Sequence, residues 1–162
     1  MIKRILRSET AELTRSRNLL FINVFETIVQ TNDAHQIQKL HEITEKTMRS
    51  MDEFKTLPFL YLFDQIKSTH ILRQGFSLIC LRGIFGICKR NCWAHCLGAW
   101  LVKKVIDSDV VPTLLDLLDL KELQTKSALI FGHMMFLGSK EQKKNPHQFQ
   151  HHFANNSALK FD

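Results

Sequence analysis

Residues 105–138 read VIDSDVVPTLLDLLDLKELQTKSALIFGHMMFLG and carry the clearest indication of the fold. The polar triplet Asp107-Ser108-Asp109 interrupts an apolar helical pattern, and Pro112 then suits the first turn of a new helix. A short apolar helix, a turn and a longer helix are typical of one unit of a stacked helical repeat. Such a unit cannot bury its apolar face alone, so this stretch predicts neighbouring helices packed against it.

A second segment has the same order of a short helix before a long one. Leu57-Pro58 opens a dense apolar run 54 residues before Val111-Pro112, and a long helix is expected over residues 70–88. The periodicity of residues 57–63 fits helix or strand, but Pro58 argues against a central strand because proline cannot donate to the ladder. The predicted fold is all-α, either a short right-handed helical solenoid or an irregular helical bundle.

The rest of the sequence up to Gly138 also has helical periodicity. Apolar residues recur every three or four positions over residues 11–30, and again from residue 37. Asp33 is expected to cap the second of these helices, and Ser50 has the capping-box spacing to Glu53. Later helices are expected over residues 92–106, 110–120 and 122–137.

The domain prediction follows from where this periodicity stops. Residues 1–138 are predicted to form a single all-helical domain. Residues 139–162 are rich in Lys, Gln, Asn and His with few apolar side chains, so they are expected to be a disordered tail.

The segments Val110-Val111-Pro112, Leu114-Leu115, Leu117-Leu118 and Ala128-Leu129 resemble the armadillo and HEAT-like helical repeat family. The likeness covers residues 105–138 best and residues 57–87 loosely. It implies a solenoid whose long third helices line a groove for a partner segment. The chain lacks the Trp and Asn ladder with which importin-like members bind nuclear signals. The residues that the likeness places in the groove are Arg73, Gln74, Ser77, Arg82, Lys126 and His133.

The function expected from this pattern is that of a protein-interaction scaffold, with self-association as a further option. No phosphate-binding loop and no nucleophile-elbow motif occurs in the sequence, so the chain is predicted not to be an enzyme and no cofactor is expected. The alternative is a basic nucleic-acid-binding protein, because the formal net charge is +6 and the excess lies at the two ends.

The cysteines cluster within a short part of the chain at positions 80, 88, 92 and 96. Cys88, Cys92 and Cys96 with His95 present thiols and an imidazole, the ligand types of zinc. Along a straight helix, however, the outer two of these cysteines would lie about 12 Å apart, too far for one ion. The preferred interpretation is reduced, buried cysteines with no metal.

Two further absences set the expected location. No secretory signal is visible, because Glu9 and Glu12 follow the basic start before any apolar region. The most apolar stretch, residues 71–88, is interrupted by Arg73 and Arg82, so no membrane span is expected. A cytoplasmic or nuclear protein is predicted.

Overall fold

Every regular element in the described part of the chain is helical. The computed structural model describes residues 2–47, 50–90 and 95–138, and no strand occurs among them. The all-α prediction is confirmed, including residues 57–63, which periodicity alone left between helix and strand. The elements in chain order are α1 Ile2–Thr31, a 3-10 turn Ala34–Gln36, α2 Ile37–Thr47, α3 Met51–Lys55, α4 Phe59–Lys67, α5 Ile71–Arg90, α6 His95–Asp107, α7 Val111–Leu117 and α8 Gln124–Leu137.

The chain divides into two compact units, residues 1–61 and residues 62–162. The division falls inside α4, the short helix that follows Pro58. The single domain expected over residues 1–138 stays a prediction. The expected tail, residues 139–162, lies outside the residues that the structure describes.

The first unit is built on α1, which begins well before the expected residue 11. Phe25 and Ile28 in its C-terminal half are fully buried, and α2 packs against α1. The Phe25 ring meets Tyr61 edge to face, with 5.6 Å between the ring centroids. The Tyr61 hydroxyl donates to Glu26 Oε1 at 2.6 Å, so the one polar atom of this ring is satisfied.

Local capping chemistry confirms several predicted helix boundaries. The Asp33 carboxylate accepts from the backbone N–H two residues later at 3.0 Å, so it caps the 3-10 turn Ala34–Gln36 that leads into α2 and not α2 itself. The Ser50 hydroxyl accepts from the N–H of Glu53 at 3.1 Å. Asp109 follows α6 in the left-handed region, with a φ of 61°, and Pro112 lies in the first turn of α7. Ser50 supplies an acceptor to a free N–H at a helix start, and Pro112 suits a first turn because its missing N–H needs no partner there.

Some helices are shorter than their periodicity suggests. The helix expected over residues 110–120 ends at Leu117. Beyond it, the N–H groups of Leu118, Asp119 and Leu120 each bond to the carbonyl three residues earlier, at 3.1 to 3.2 Å. Bonds of this span belong to tighter turns than the α-helix. The apolar pattern therefore continues past the point where the α-helical geometry stops.

Helix α5 is the central helix of the second unit and packs against α6 and α8. Leu78, Leu81 and Phe85 along it are fully buried. Among the described residues it is the one helix long and apolar enough to span a membrane, with a mean hydropathy of 1.4 over its most apolar window. Of that window, 61% is buried inside the protein, which is also typical of the core helix of a globular fold. The absence of a membrane span stays a prediction.

Helices α5 and α8 run parallel to each other. Near their N-terminal ends, a Cβ on Gly75 would lie 3.4 Å from Leu123 Cδ2. Further along, the Phe85 and His133 rings stack at 5.9 Å, and beyond them Lys89 lies over Phe136. The two partners in each contact are separated by nearly the same number of residues in the sequence, so the two helices run in the same direction.

The two helical glycines Gly98 and Gly132 lead to opposite stability predictions. A Cβ on Gly98 of α6 would lie 2.8 Å from Leu137 Cδ2 and 3.0 Å from Leu137 Cβ, whereas one on Gly132 of α8 meets nothing within 4 Å. Alanine favours a helix over glycine by about 1 kcal/mol, and overpacking costs about 1–3 kcal/mol. We expect Gly132→Ala to raise the thermal midpoint and Gly98→Ala to lower it. Equal shifts in calorimetry would contradict this packing.

Candidate partner-binding face

The residues predicted to line a groove fall into two groups on the second unit. Arg73 and Gln74 lie in the N-terminal half of α5, and Arg82 lies in its C-terminal half. Lys126 is in the first turn of α8, two helical turns before His133. Arg82 lies one helical turn before Phe85, whose ring stacks on His133, and the charge of Arg82 lowers the pKa of that imidazole.

The first group is engaged within the protein. Arg73 Nη1 donates to Gln65 Oε1 at 2.9 Å. Gln74 and Ser77 are buried, and Gln74 Nε2 donates to the Ile66 carbonyl at 3.0 Å. Because Ile66 lies in the last turn of α4, its carbonyl has no partner within the helix, and the glutamine amide supplies one. The roles of Arg73, Gln74, Ser77 and Lys126 in partner binding stay predictions.

The second group, Arg82 and His133, belongs to a larger basic-aromatic patch, which we define as Arg82, Lys89, Gly132, His133 and Phe136. Arg82 and Lys89 are exposed on α5, seven residues apart and therefore on one side of the helix. Phe136 on α8 is 54% exposed, and Lys89 Nζ lies 4.6 Å from its ring centroid. Gly132, one turn before Phe136, is exposed and leaves the α8 backbone open.

His133 connects the patch to the core of this unit. Its ring is parallel to that of the fully buried Phe85, with an angle of 3° between the planes. Burial lowers the pKa of His133 below its ordinary 6.5, and the neighbouring charges of Lys89 and Arg82 lower it further. This shift favours the neutral imidazole, in which one ring nitrogen donates a hydrogen bond and the other accepts one.

The charge of this face has one sign. Neither α5 nor α8 contains an aspartate or a glutamate, although the two helices together carry five lysines and arginines. The acidic residues of the second unit concentrate instead from the end of α6 to the start of α8, at Asp107, Asp109, Asp116, Asp119 and Glu122. An exposed aromatic ring beside uncompensated cations is suited to bind an anionic group with an apolar neighbour.

Lys89, Gly132 and Phe136 are the patch residues that the sequence interpretation did not name. The heptad spacing from Arg82 to Lys89 was available as a signal, and so was the spacing of one turn from Gly132 to Phe136. Neither signal shows that the two helices place these side chains side by side. That information lies in the packing of α5 on α8.

Of the three described cysteines, Cys96 is exposed, so the expectation of burial is wrong for it, whereas the other two favour a structural role. Cys80 and Cys88 are buried, and burial raises the pKa of each thiol to about 12. A thiol that stays protonated is neither a nucleophile nor a metal ligand. Among the residues that the structure describes, no group of three potential metal ligands comes together. Cys92 and the side chain of His95, which the zinc hypothesis needs, lie outside those residues.

The pKa of His133 predicts a pH effect on stability. The unfolded chain takes up a proton on this residue near pH 6.5, whereas the folded protein does so only at lower pH. Stability from the neutral imidazole is therefore present above pH 6.5 and is lost as the pH falls through the folded pKa. Urea denaturation at a series of pH values should show a flatter acid limb for His133→Phe than for the parent. Identical acid limbs would contradict the shifted pKa.

Comparisons with protein-family models, with curated proteins and with solved structures find no match to this chain. The assignment of a function therefore depends on the patch and on the helices that form it.

Proposed function

We propose that this chain is a protein-interaction module that binds a segment of a partner on the basic-aromatic patch. The observation that carries the proposal is the exposed Phe136 ring beside Arg82 and Lys89, held on two packed helices. Aromatic and arginine side chains dominate the binding energy of protein interfaces because they combine apolar area with directional polar groups. Because Phe136, Arg82 and Lys89 lie on helices that are already packed, binding a partner costs little additional conformational entropy of the backbone.

The repeat-like arrangement proposed for the second unit supports this function. Parallel long helices such as α5 and α8 are what stacking of equivalent repeat units requires. Each long helix is joined to the short helix before it by one hydrogen bond of a similar kind. Gln74 of α5 donates to the last turn of α4 at 3.0 Å, and Ser127 of α8 donates to the Leu114 carbonyl of α7 at 2.6 Å. A short armadillo- or HEAT-like solenoid is therefore the architecture that we propose.

A binding role also agrees better with the chemistry of the patch than catalysis does. Its titratable groups are Arg82, Lys89 and His133. A neutral His133 could act as a base, but an arginine cannot, and the described thiols nearest in sequence, Cys80 and Cys88, stay protonated and so supply no nucleophile. We propose that the chain acts without a cofactor of its own.

Nucleic-acid binding is the second candidate. It is favoured by the formal net charge of +6 and by the exposed Arg4 and Arg15 of α1 in the first unit. Phosphate contacts would make such binding fall steeply with added salt. A chain that retains no oligonucleotide at low salt would eliminate this candidate.

The proposed function can be tested by selecting peptides from an unbiased display library on the folded chain. We expect enriched peptides that bind the parent and lose binding to Phe136→Ser. Leu120→Ser is the matched control, because Leu120 is an exposed apolar residue outside the patch. If no peptide is enriched, or if every enriched peptide binds both variants equally, the proposal fails.

A further inference from the structure

We infer that the partner segment is an acidic peptide in which a carboxylate side chain is close to an apolar one. This inference rests on the proposed function and names the chemistry that the basic-aromatic patch selects. It depends on three features of the second unit: the positive charges of Arg82 and Lys89 near His133, the exposed guanidinium of Arg82, and the exposed α8 backbone at Gly132 beside Phe136.

The charges of Arg82 and Lys89 both raise the positive potential at His133. They lie two helical turns apart on α5, about 10 Å along the axis, and both act on the imidazole of His133 on the neighbouring helix. No carboxylate is present on either helix to offset them. A carboxylate that approaches His133 therefore meets two positive charges, and the neutral imidazole offers it a hydrogen bond.

Arg82 has the geometry for a specific contact with such a group. Its side chain is exposed, and it takes no part in the ion pairs or hydrogen bonds found across residues 2–47, 50–90 and 95–138. A guanidinium binds a carboxylate through two parallel hydrogen bonds, which a lysine cannot match. An aspartate or glutamate of the partner would accept both of these hydrogen bonds.

The apolar half of the site lies on α8. The Phe136 ring is 54% exposed, and a side chain placed beside Gly132 would meet no protein atom within 4 Å of a Cβ there. A leucine-sized group of the partner can lie over Gly132 against the Phe136 ring. Lys89 Nζ lies 4.6 Å from the centroid of the Phe136 ring. Neighbouring residues of one peptide can therefore make the acidic contact and the apolar contact.

A peptide fits these features better than a nucleic acid does. Polynucleotide binding without sequence preference uses a groove of many cations that follows the phosphate backbone. The patch offers two exposed cations and a single exposed ring, which matches the short alternation of charge and apolar surface along a peptide.

The test uses labelled synthetic peptides and the full chain, with binding followed by fluorescence anisotropy. The probes are a peptide of mixed Glu and Leu, one with Lys in place of Glu, one with Ser in place of Leu, and an oligodeoxythymidine. The patch variant is Arg82→Glu with Lys89→Glu. Its matched control is Lys103→Glu with Lys121→Glu, which changes the net charge equally at exposed lysines of the same unit outside the patch.

We expect the Glu-Leu peptide to bind the parent and the control variant, and to bind the patch variant on the order of 10- to 100-fold more weakly. Arg82→Gln with Lys89→Gln should show the same direction of change, which guards against misfolding of the double reversal. Equal binding to the patch and control variants would overturn the inference. It would also be overturned by undiminished binding of the Ser-substituted peptide or by tighter binding of the oligodeoxythymidine in competition.

The display selection separates this inference from the function on which it rests. Phe136-dependent peptides without an acidic residue would overturn the acidic chemistry and leave the proposed function standing. A selection without Phe136-dependent peptides would overturn both.

Discussion

Replacing Phe85 with alanine should lower the free energy of unfolding by about 3–5 kcal/mol. Phe85 is fully buried, and its ring stacks on His133 across the junction of α5 and α8. The truncation removes the apolar area of the ring and leaves a cavity between two helices that cannot close without shifting. Urea denaturation followed by circular dichroism measures this loss directly.

Phe136→Ala is the matched control for this experiment. It removes the same side chain from a position that is 54% exposed, so its cost should stay within about 0.5 kcal/mol. The Phe85 and Phe136 variants therefore separate the core of the α5–α8 junction from its surface. Similar losses in both variants would contradict the assignment of Phe136 to an open binding patch.

The second large effect is expected at the buried polar residues that join each long helix to the short one before it. Ser127 is fully buried, and its hydroxyl donates to the Leu114 carbonyl at 2.6 Å. In Ser127→Ala that carbonyl, in the last turns of α7, loses its donor in the protein interior. An unsatisfied buried group costs about 1–3 kcal/mol.

Gln74→Leu should cost a similar amount, because Gln74 Nε2 donates to the Ile66 carbonyl near the end of α4. Thr125→Ala provides the control, since Thr125 is an exposed residue of the same helix as Ser127. Both losses are measured by urea denaturation beside that control. If either variant is as stable as the parent, the corresponding bond does not hold the short helix to the long one.

The sequence predicted the helix boundaries best where a single side chain determines them. Asp33, Ser50 and Pro112 act on backbone groups within a few residues, so their effect can be inferred without knowledge of the fold. Boundaries without such a residue were less accurate. Helix α7 ends at Leu117, although the apolar pattern continues, because a tighter turn follows that keeps Leu118 buried and leaves Leu120 exposed.

The candidate site was predicted only in part, for a reason that also lies in the packing. The sequence placed Arg82 and His133 on long helices, and the charge of Arg82 lowers the pKa of the His133 imidazole. It also suggested Gln74, which is buried and bonded to a carbonyl at a helix end. Periodicity shows which residues share a face of one helix. It does not show which turn of α5 meets which turn of α8, and this register places Lys89 over Phe136.

The close approach at Gly98 was missed for the same reason. A Cβ on Gly98 of α6 would lie 2.8 Å from Leu137 Cδ2 of α8, closer than the 3.4 Å between a Cβ on Gly75 of α5 and Leu123 Cδ2. A glycine in a helical pattern predicts a weakened helix. Which neighbouring helix uses the space depends on tertiary packing.

The most direct test of a binding site on the basic-aromatic patch is a nuclear magnetic resonance titration of the labelled chain with a peptide from the display selection. We expect the largest shifts on the Gly132 amide, the His133 imidazole and the Phe136 ring, with smaller shifts at Arg82 and Lys89. Shifts confined to α1, or to the acidic residues from the end of α6 to the start of α8, would contradict a binding site on the basic-aromatic patch.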